Sequence, residues 1–303
     1  MIEDLAMSER VVRLEGGRWE ILARAKLNLG LRIFPARPDG FHDLESWFVP
    51  ISWHDTLQFN SGGALKLEVT GRAEGVPTDL EKNLVGRAAV RLAKAAGVAA
   101  EGTITLHKVL PPGGGLGGGS SDAASALVML NEAWGLRWGE EKLRGIAAEL
   151  GSDVPFFVRG EASLCTGRGE IMTPLPAYHT LFAVLLLPPR GLGTKEVYQA
   201  FDAGHQHKGL GKTDWQRCAR STAEELSGLL VNDLEPPAFA IAPWVAELRE
   251  RAAKSVRRKV HMTGSGSTLY ALCGSGVEAA EIQKRVEADL RGDCACVSAR
   301  IER

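Results

Sequence analysis

Apolar residues along the chain follow two spacings, which predict strands and helices in alternation. Strands are predicted where apolar residues alternate or run together: one or two at 19–34, a pair through Val49 and Leu57, then 102–110, 163–167 and 181–187. Helices are predicted where the spacing is three or four: 80–96, 123–134, 140–150, 223–230 and 243–253. The polar stretch 202–221 is expected to be an exposed loop or insertion.

The segment 111–125 reads PPGGGLGGGSSDAAS and lies between a predicted strand and a predicted helix. A helix N-terminus leaves backbone N–H groups unpaired and carries the positive end of the helix dipole, so it attracts anions. Glycines before it permit φ > 0 and a close approach of the backbone to a phosphate chain. Six glycines in seven positions therefore predict a phosphate site at 113–121 rather than a flexible connector.

Two common phosphate motifs do not fit this loop. The string Gly113-x-Gly115-x-x-Gly118 matches the dinucleotide pattern, but that pattern needs an acid at the end of a strand ~20 residues on. That position falls at 139–142, in a polar turn that enters another helix. The P-loop needs Gly-Lys-Ser/Thr, and no lysine follows these glycines. A different kind of phosphate loop is therefore predicted.

Three polar residues follow the glycines. Ser120 and Ser121 are suited equally to capping the helix and to offering hydroxyls to phosphate or Mg²⁺. Asp122 in the first turn suits the helix dipole, but beside phosphates it repels unless a cation or a nearby base compensates.

Composition narrows the class of protein. At 303 residues two domains are expected, with a boundary between 160 and 175. A formal net charge of -1 gives no general attraction for nucleic acid or anionic membranes. The N-terminal segment has no long apolar core, the apolar run ending at Pro188 is shorter than a membrane span, and the five cysteines are scattered. A cytoplasmic protein without a disulfide framework or zinc module is expected.

Three blocks resemble the motifs of the GHMP small-molecule kinases, in the same order. They are AKLNLGLRI at 25–33, PPGGGLGGGSSDAA at 111–124 and MTGSGSTLYAL at 262–272. Two further blocks, RPDGFHDLESWF at 37–48 and GSDVPFFVRGEASLCTGRGE at 151–170, narrow the resemblance to the branch that phosphorylates a cytidine diphosphate alcohol.

The resemblance implies an α+β fold of two domains and an ATP-dependent kinase of a small-molecule substrate. A ribosomal-protein-S5-like N-terminal domain over 1–165 would bind ATP, and a ferredoxin-like C-terminal domain over 166–303 would bind the substrate. Mg²⁺ is expected with ATP, and the protein is expected to be a monomer or a homodimer.

The resemblance also assigns catalytic roles. Asp153 would accept or orient the proton of the acceptor hydroxyl, and Lys26 would keep Asp153 anionic and stabilise developing charge. From the residues alone, an N-cap after Gly151, with Pro155 near the first turn, is the favoured interpretation of Asp153, and an exposed strand residue is the commoner one for Lys26. Asn28 is two residues from Lys26 on the same strand face, which indicates a polar wall.

Binding residues follow from the same resemblance. Those expected to hold ATP are Pro111, Pro112, Gly113, Gly114, Gly115, Leu116, Gly117, Gly118, Gly119, Ser120 and Ser121, with Asn83 and Lys108 near adenine. Those expected to contact the substrate are Asn28, Phe41, His42, Thr194, Tyr198, Gly264 and Gly266.

Three of these binding positions have specific expectations. Phe41 stands where a tyrosine is usual, so ring stacking on the base is kept and a hydroxyl contact is lost. His42 would read the edge of cytosine, although a turn residue is as good an interpretation. Gly264 and Gly266 would support the glycine loop, and they also suit a tight hairpin turn.

Three other functions remain open at this point. Another GHMP kinase, such as a homoserine or mevalonate kinase, would be exposed by a substrate panel. A nucleotide sensor without catalysis would bind ATP and transfer nothing. A dinucleotide oxidoreductase would bind NAD.

Overall fold

The computed structural model describes residues 7, 9–204 and 213–302. The chain divides into two compact units, each built from segments that are distant in sequence. The first unit comprises Met1–Ala25, Trp53–Pro111 and Gly117–Gly160. The second comprises Lys26–Ser52, Pro112–Leu116 and Glu161–Arg303.

Strands and helices of both units are mixed along the chain. The strands are β1 Val11–Arg13, β2 Trp19–Ala36, β3 His42–Ala64, β4 Lys66–Gly71, β5 Glu101–Lys108, β6 Ser163–Thr166, β7 Ile171–Pro174, β8 Phe182–Leu187, β9 His261–Met262, β10 Leu269–Cys273 and β11 Ala295–Arg300. The α-helices are α1 Leu84–Ala96, α2 Gly118–Ala133, α3 Glu140–Leu150, α4 Val154–Arg159, α5 Thr194–Gly204, α6 Trp215–Arg220, α7 Ala223–Leu229, α8 Glu235–Ile241, α9 Pro243–Val256 and α10 Gly276–Asp289.

The first unit contains a sheet in the order β1-β2-β3-β5-β4. Strand β5 pairs antiparallel with β3, where Leu57 faces Leu106, and parallel with β4, where Val69 faces Leu106. Helix α2 packs against α1 and α4 and is buried from Ser121 to Asn131. Burial on all sides explains why α2 is rich in alanine and has no charged residue on its buried turns other than Asp122.

Helix α1 illustrates how local chemistry sets the bounds. The spacing predicts a helix from 80, but α1 begins at Leu84 because the side chain of Asn83 accepts a hydrogen bond from the backbone N–H of Val85. The predicted stop is confirmed, since Gly97 adopts φ 66° and its N–H bonds back to the last turn.

The predicted pair of strands through Val49 and Leu57 is wrong, because β3 is one strand of 23 residues. Pro50 lies inside it without ending it, and its carbonyl accepts a hydrogen bond from the N–H of Glu302 at 2.8 Å. The segment 19–34 likewise forms the single strand β2. Residues of β2 and β3 contribute to both units.

The second unit contains an antiparallel sheet in the order β11-β8-β10-β9, with α9 and α10 packed together and α10 against β8, β10 and β11. Its core includes Val184 and Leu186 of β8, Leu248 of α9 and Ile282 of α10. This layering of helices on an antiparallel sheet agrees with the expected ferredoxin-like domain. In the same unit, residues 46–48 of β3 pair with β6, which pairs with β7.

The polar stretch 202–221 is only partly a loop. Residues 202–204 end α5, residues 205–212 lie outside the described residues, and 215–220 form α6. The prediction of an exposed loop is wrong for α6, because Trp215 and Cys218 are buried. Their spacing of three was masked by the charged residues around them. Among the helices of the described ranges, none is both long and apolar enough to cross a membrane.

Candidate active site

Lys26 is a buried lysine in the second unit, with 4% of its surface exposed. Its Nζ donates a hydrogen bond to Oδ1 of Asn28 at 2.5 Å and lies 4.8 Å from the centroid of the Phe48 ring. The interpretation of Lys26 as an exposed strand residue is therefore wrong. A desolvated ammonium held by an amide oxygen and a ring face is well suited to stabilising negative charge.

Asn28 links Lys26 to the loop that follows β9. Its backbone N–H donates to Oγ1 of Thr263 at 2.9 Å, and its Nδ2 donates to Oγ of Ser46 at 2.9 Å. The hydrogen bond to Lys26 confirms that residues 26 and 28 share a strand face. Asn28 thereby joins Lys26, Ser46 and Thr263 in one buried network, and its contact with substrate stays a prediction.

Asp153 stands directly before α4 in the first unit. Pro155 lies in the first turn, as the sequence indicates. Asp153 occupies the N-cap position of α4, as that interpretation indicates, but within the described residues its side chain makes no capping hydrogen bond to the helix. Its catalytic role stays a prediction.

The glycine loop contains three glycines that need left-handed backbone angles. Gly113, Gly115 and Gly117 have φ of 75°, 75° and 70°. Gly114 and Gly115 also lie so close to the loop after β9 that a Cβ would meet Oγ1 of Thr268, or the carbonyl of Thr263, at 2.9 Å. The third motif therefore supports this part of the second motif, as the resemblance implies.

Gly118 and Gly119 differ from the other glycines, because neither conformation nor packing requires them. Neither has a positive φ, and a Cβ there would contact Leu110, Leu84 or Lys108 at ordinary distances of 3.4–3.7 Å. They form the first residues of α2, and the N-cap is Gly117. The bare backbone at this helix N-terminus thus leaves room for an anion.

Neither serine of the loop is the N-cap of α2, so the capping interpretation is wrong for both. Ser121 is buried and its hydroxyl donates to the carbonyl of Arg24 at 2.6 Å. Ser120 is half-buried in the first turn. Of the two hydroxyls, that of Ser120 is the better placed to meet a ligand.

A buried cluster of charges joins the two ends of the glycine loop within the first unit. Nζ of Lys108 donates to Oδ2 of Asp55 and to Oδ2 of Asp122, the latter at 2.7 Å. Oδ1 of Asp55 accepts from the backbone N–H groups of Val109 and Leu110. The cluster ties the residues before the loop to the first turn of α2, and Lys108 supplies the cation that Asp122 was expected to need.

Burial and charge act against each other in this cluster. Burial alone would lower the pKa of Lys108, but Asp122 and Asp55 outweigh it and raise that pKa. Burial, together with the neighbouring charge of Asp55, raises the pKa of Asp122 to about 7. The charge of Lys108 lowers this pKa but only partly offsets the effect of burial. Sequence reasoning missed Asp55, whose signal is an acid between the apolar residues Ile51 and Leu57 of β3.

Asn83 is occupied by its capping role. Its Nδ2 also donates to the carbonyl of Pro77 at 2.7 Å. A contact of Asn83 or Lys108 with adenine remains a prediction.

Phe41 and His42 lie side by side at the start of β3. The Phe41 ring is half exposed and the guanidinium of Arg168 lies 3.8 Å from its centroid. His42 is buried, with Nδ1 2.7 Å from the carbonyl of Phe34 and Nε2 2.8 Å from Oδ1 of Asp202. One face of the Phe41 ring is thus covered by a cation, and sequence reasoning missed both Arg168 and Asp202.

Helix α5 and the loop after β9 hold the other predicted substrate residues. The ring of Tyr198 lies 6.1 Å from that of His42. Oγ1 of Thr194 lies 3.0 Å from Oγ of Ser265.

Gly264 and Gly266 have φ of 56° and 87°, which confirms the tight turn. A Cβ on Gly264 would lie 3.1 Å from Oδ1 of Asn28, so this turn packs directly on the lysine network.

No dedicated metal cage stands among the described residues, since no three His, Cys, Asp or Glu side chains are grouped as ligands. Mg²⁺ often takes only one or two protein oxygens when phosphates supply the others. A single hydroxyl such as that of Ser120 fits this mode of binding.

Comparison with known proteins identifies similar chains over most of this length. Residues 83–161 match the model of the GHMP kinases N terminal domain, and residues 188–292 match that of the GHMP kinases C terminal domain. A 4-diphosphocytidyl-2-C-methyl-D-erythritol kinase of Pelotomaculum thermopropionicum is 40% identical over 270 residues, covering 87% of this chain and 92% of the relative.

Solved structures give the same result. A crystal structure of a 4-(cytidine 5'-diphospho)-2C-methyl-D-erythritol kinase superposes with a TM-score of 0.77 at 32% identity, covering 94% of this chain and 99% of the other. A homoserine kinase of Cytophaga hutchinsonii superposes with a TM-score of 0.68 at 16% identity, covering 96% of each chain, which shows a shared fold.

Proposed function

The chain belongs to the 4-diphosphocytidyl-2-C-methyl-D-erythritol kinase branch of the GHMP kinases and is a small-molecule kinase; from this premise we propose its reaction. It transfers the γ-phosphoryl group of ATP to the 2-hydroxyl of 4-diphosphocytidyl-2-C-methyl-D-erythritol, a step of the non-mevalonate route to isoprenoid precursors. The choice of substrate is supported by identity to kinases of that name along most of the chain.

The binding of ATP is supported chiefly by the bare N-terminus of α2. Gly118 and Gly119 are glycines that the protein itself does not need, and their backbone N–H groups begin a helix of 16 residues. The helix dipole and the unpaired N–H groups favour phosphate oxygens there. The loop from Pro111 to Ser121 is therefore the proposed phosphate-binding segment.

Mg²⁺ is proposed to accompany ATP, with the Ser120 hydroxyl as its protein ligand and phosphate oxygens as the others. When bound, it would supply positive charge that neutralises the group being transferred. Ser121 is not proposed as a ligand, because its hydroxyl donates to Arg24.

Asp153 and Lys26 are proposed to serve the acceptor hydroxyl. Asp153 receives the proton of that hydroxyl as the new P–O bond forms, and the buried ammonium of Lys26 stabilises the negative charge of the reacting oxygens. The contacts of Lys26 with Asn28 and Phe48 hold the ammonium in place before substrate binds. Such prior placement lowers the cost of reorganisation during the reaction.

The cytidine base is proposed to stack on the free face of Phe41 and to bond at its edge to His42, with Thr194, Tyr198, Gly264 and Gly266 around the rest of the substrate. Arg168 covers the other face of Phe41, so a base on the free face would complete a stack of three planar groups. The cytidine substrate would thus be bound by residues of the second unit.

A cytoplasmic location and a monomeric or homodimeric state are also proposed. All five cysteines are present as thiols rather than disulfides, as is usual in a reducing compartment. Size-exclusion chromatography with light scattering would give the oligomeric state.

The function is tested by supplying ATP and Mg²⁺ with three acceptors in parallel: the cytidine diphosphate substrate, homoserine and mevalonate. We expect phosphoryl transfer to the first alone. Transfer to homoserine or mevalonate instead would show that the proposed substrate is wrong and that the protein is still a kinase. ATP binding without transfer to any acceptor would indicate a nucleotide sensor, and NAD binding in place of ATP an oxidoreductase.

A further inference from the structure

Ser46 lies in β3 with none of its surface exposed, and sequence reasoning gave it no role. Its Oγ is 2.6 Å from the carbonyl oxygen of Gly30 and 2.9 Å from Nδ2 of Asn28. Both neighbours are buried in the second unit, where a lost hydrogen bond is costly.

The number of protons in this network decides its direction. A carbonyl oxygen can only accept, so the single hydroxyl proton of Ser46 is committed to Gly30. Ser46 can then only accept from Asn28, which requires the NH₂ group of Asn28 on the side of Ser46. The carbonyl oxygen Oδ1 of Asn28 is thereby turned towards Nζ of Lys26, 2.5 Å away.

Thr263 cannot make this choice in the same way. Its Oγ1 accepts from the backbone N–H of Asn28 at 2.9 Å, and its hydroxyl donates to Oδ1 of Asn28 at 3.4 Å. If the amide turned, the Thr263 hydroxyl could accept from the NH₂ group instead, because among the described residues no backbone carbonyl accepts its proton. If the amide of Asn28 rotated by half a turn, Ser46 would have to abandon Gly30 or face an acceptor without a proton.

We propose that Ser46 is a positioning residue, which fixes the amide of Asn28 so that its oxygen rather than its NH₂ group holds the ammonium of Lys26. This inference rests on the proposed function, in which Lys26 stabilises charge on the reacting oxygens. Without Ser46, an NH₂ group can face the ammonium, and two donors cannot bond to each other. The ammonium then loses a charge-assisted hydrogen bond and its fixed place.

The test compares Ser46→Ala with Ser163→Ala. Ser163 is also a buried serine, it pairs with Phe48 beside Ser46, and its hydroxyl donates to the carbonyl of Glu161. We expect Ser46→Ala to lower kcat by about ten-fold or more, the effect of losing one hydrogen bond to a charged group, with less than about two-fold change in KM for either substrate. Ser163→Ala is expected to keep the wild-type kcat.

Two further measurements separate positioning from general loss of structure. In a background of Asn28→Ala, the added change Ser46→Ala should alter kcat by less than about two-fold, because the amide that it orients is gone. Ser46→Thr keeps the hydroxyl and should restore kcat, whereas Ser46→Cys, of similar size, should not. The last pair carries the test if Ser46→Ala does not fold.

The outcomes distinguish the inference from the proposed function. If the wild-type protein transfers no phosphoryl group, the proposed function fails. If it does, but Ser46→Ala and Ser46→Cys retain wild-type kcat, the inference is wrong and the function stands. Losses that multiply in the double variant would also overturn it, since independent effects indicate a structural role for Ser46.

Discussion

The substitution Asp122→Asn should change how the stability of the protein depends on pH. Asp122 is 3% exposed, its Oδ2 accepts from Lys108, and its Oδ1 has no hydrogen-bond partner among the described residues. Burial raises its pKa to about 7, whereas the ordinary value is 3.8. Between these two values the folded protein keeps a proton that the unfolded chain releases.

The sign follows from this difference in bound protons. As pH rises from 4 to 7, the unfolded chain gains a solvated carboxylate while the folded protein stays protonated at Asp122, so the free energy of unfolding falls. Each pH unit in this window costs about 1.4 kcal/mol. Between pH 5 and pH 8 the contribution of Asp122 should therefore decline by roughly 3 kcal/mol.

The assay is urea unfolding of the wild-type protein and of Asp122→Asn at several pH values from 5 to 8. Asparagine is close in size and does not titrate, so the difference between the two proteins isolates Asp122. We expect that difference to move in favour of the variant by roughly 3 kcal/mol across the range.

Asp293→Asn is the matched control. The pKa of Asp293 is lowered by its hydrogen bond to Arg251, so it is ionised in both states above pH 5. Its difference from wild type should be flat over the same range and change only in acid. A flat difference for Asp122→Asn as well would refute the reasoning, because it would mean that Asp122 ionises alike in the folded and unfolded states.

Three further substitutions test the loop and the base site. Gly115→Ala should lower the melting temperature, because φ is 75° and the new Cβ would meet the Thr263 carbonyl at 2.9 Å. Calorimetry measures the melting temperature, and an unchanged value would contradict this prediction. Gly119→Ala should keep the wild-type melting temperature, because its Cβ meets only Leu84. It should raise KM for ATP, because the Cβ would stand where the phosphate is proposed to bind. An unchanged KM for ATP would show that phosphate does not bind at this turn. Asp202→Ala should lower KM for the cytidine substrate by roughly two- to five-fold, because the exposed Asp202 carboxylate no longer competes with the substrate for Nε2 of His42. A higher KM would show instead that Asp202 assists binding.

Local signals in the sequence were sufficient for most helices and for the glycine loop. Gly97 and Gly151 mark helix ends because their chemistry is local, and the order of strand, glycine loop and helix is confirmed. The family resemblance supplied the two-domain α+β fold, which the comparisons confirm.

Long-range contacts explain what sequence reasoning missed. Asp55 and Lys108 are 53 residues apart, and Ser46 and Asn28 are 18 apart on different strands. No spacing rule connects such positions, since only the pairing of strands brings them together. The protein partners of Asn83 and Lys108 were missed as well. Each of the two residues was predicted to bind a ligand, and each is hydrogen-bonded to protein groups in the structure.

Strands β2 and β3 each contain residues of both compact units. Cutting the chain near residue 160 would therefore separate residues that belong to the same unit. A fragment that ends there keeps residues 26–52 without the sheet and helices that the second unit builds around them, and the complementary fragment lacks them altogether. Gene dissection at this boundary is expected to produce two aggregating halves. A polypeptide comprising the second unit alone would have to carry residues 26–52 and 112–116 as well as those from 161 onwards, joined by new linkers.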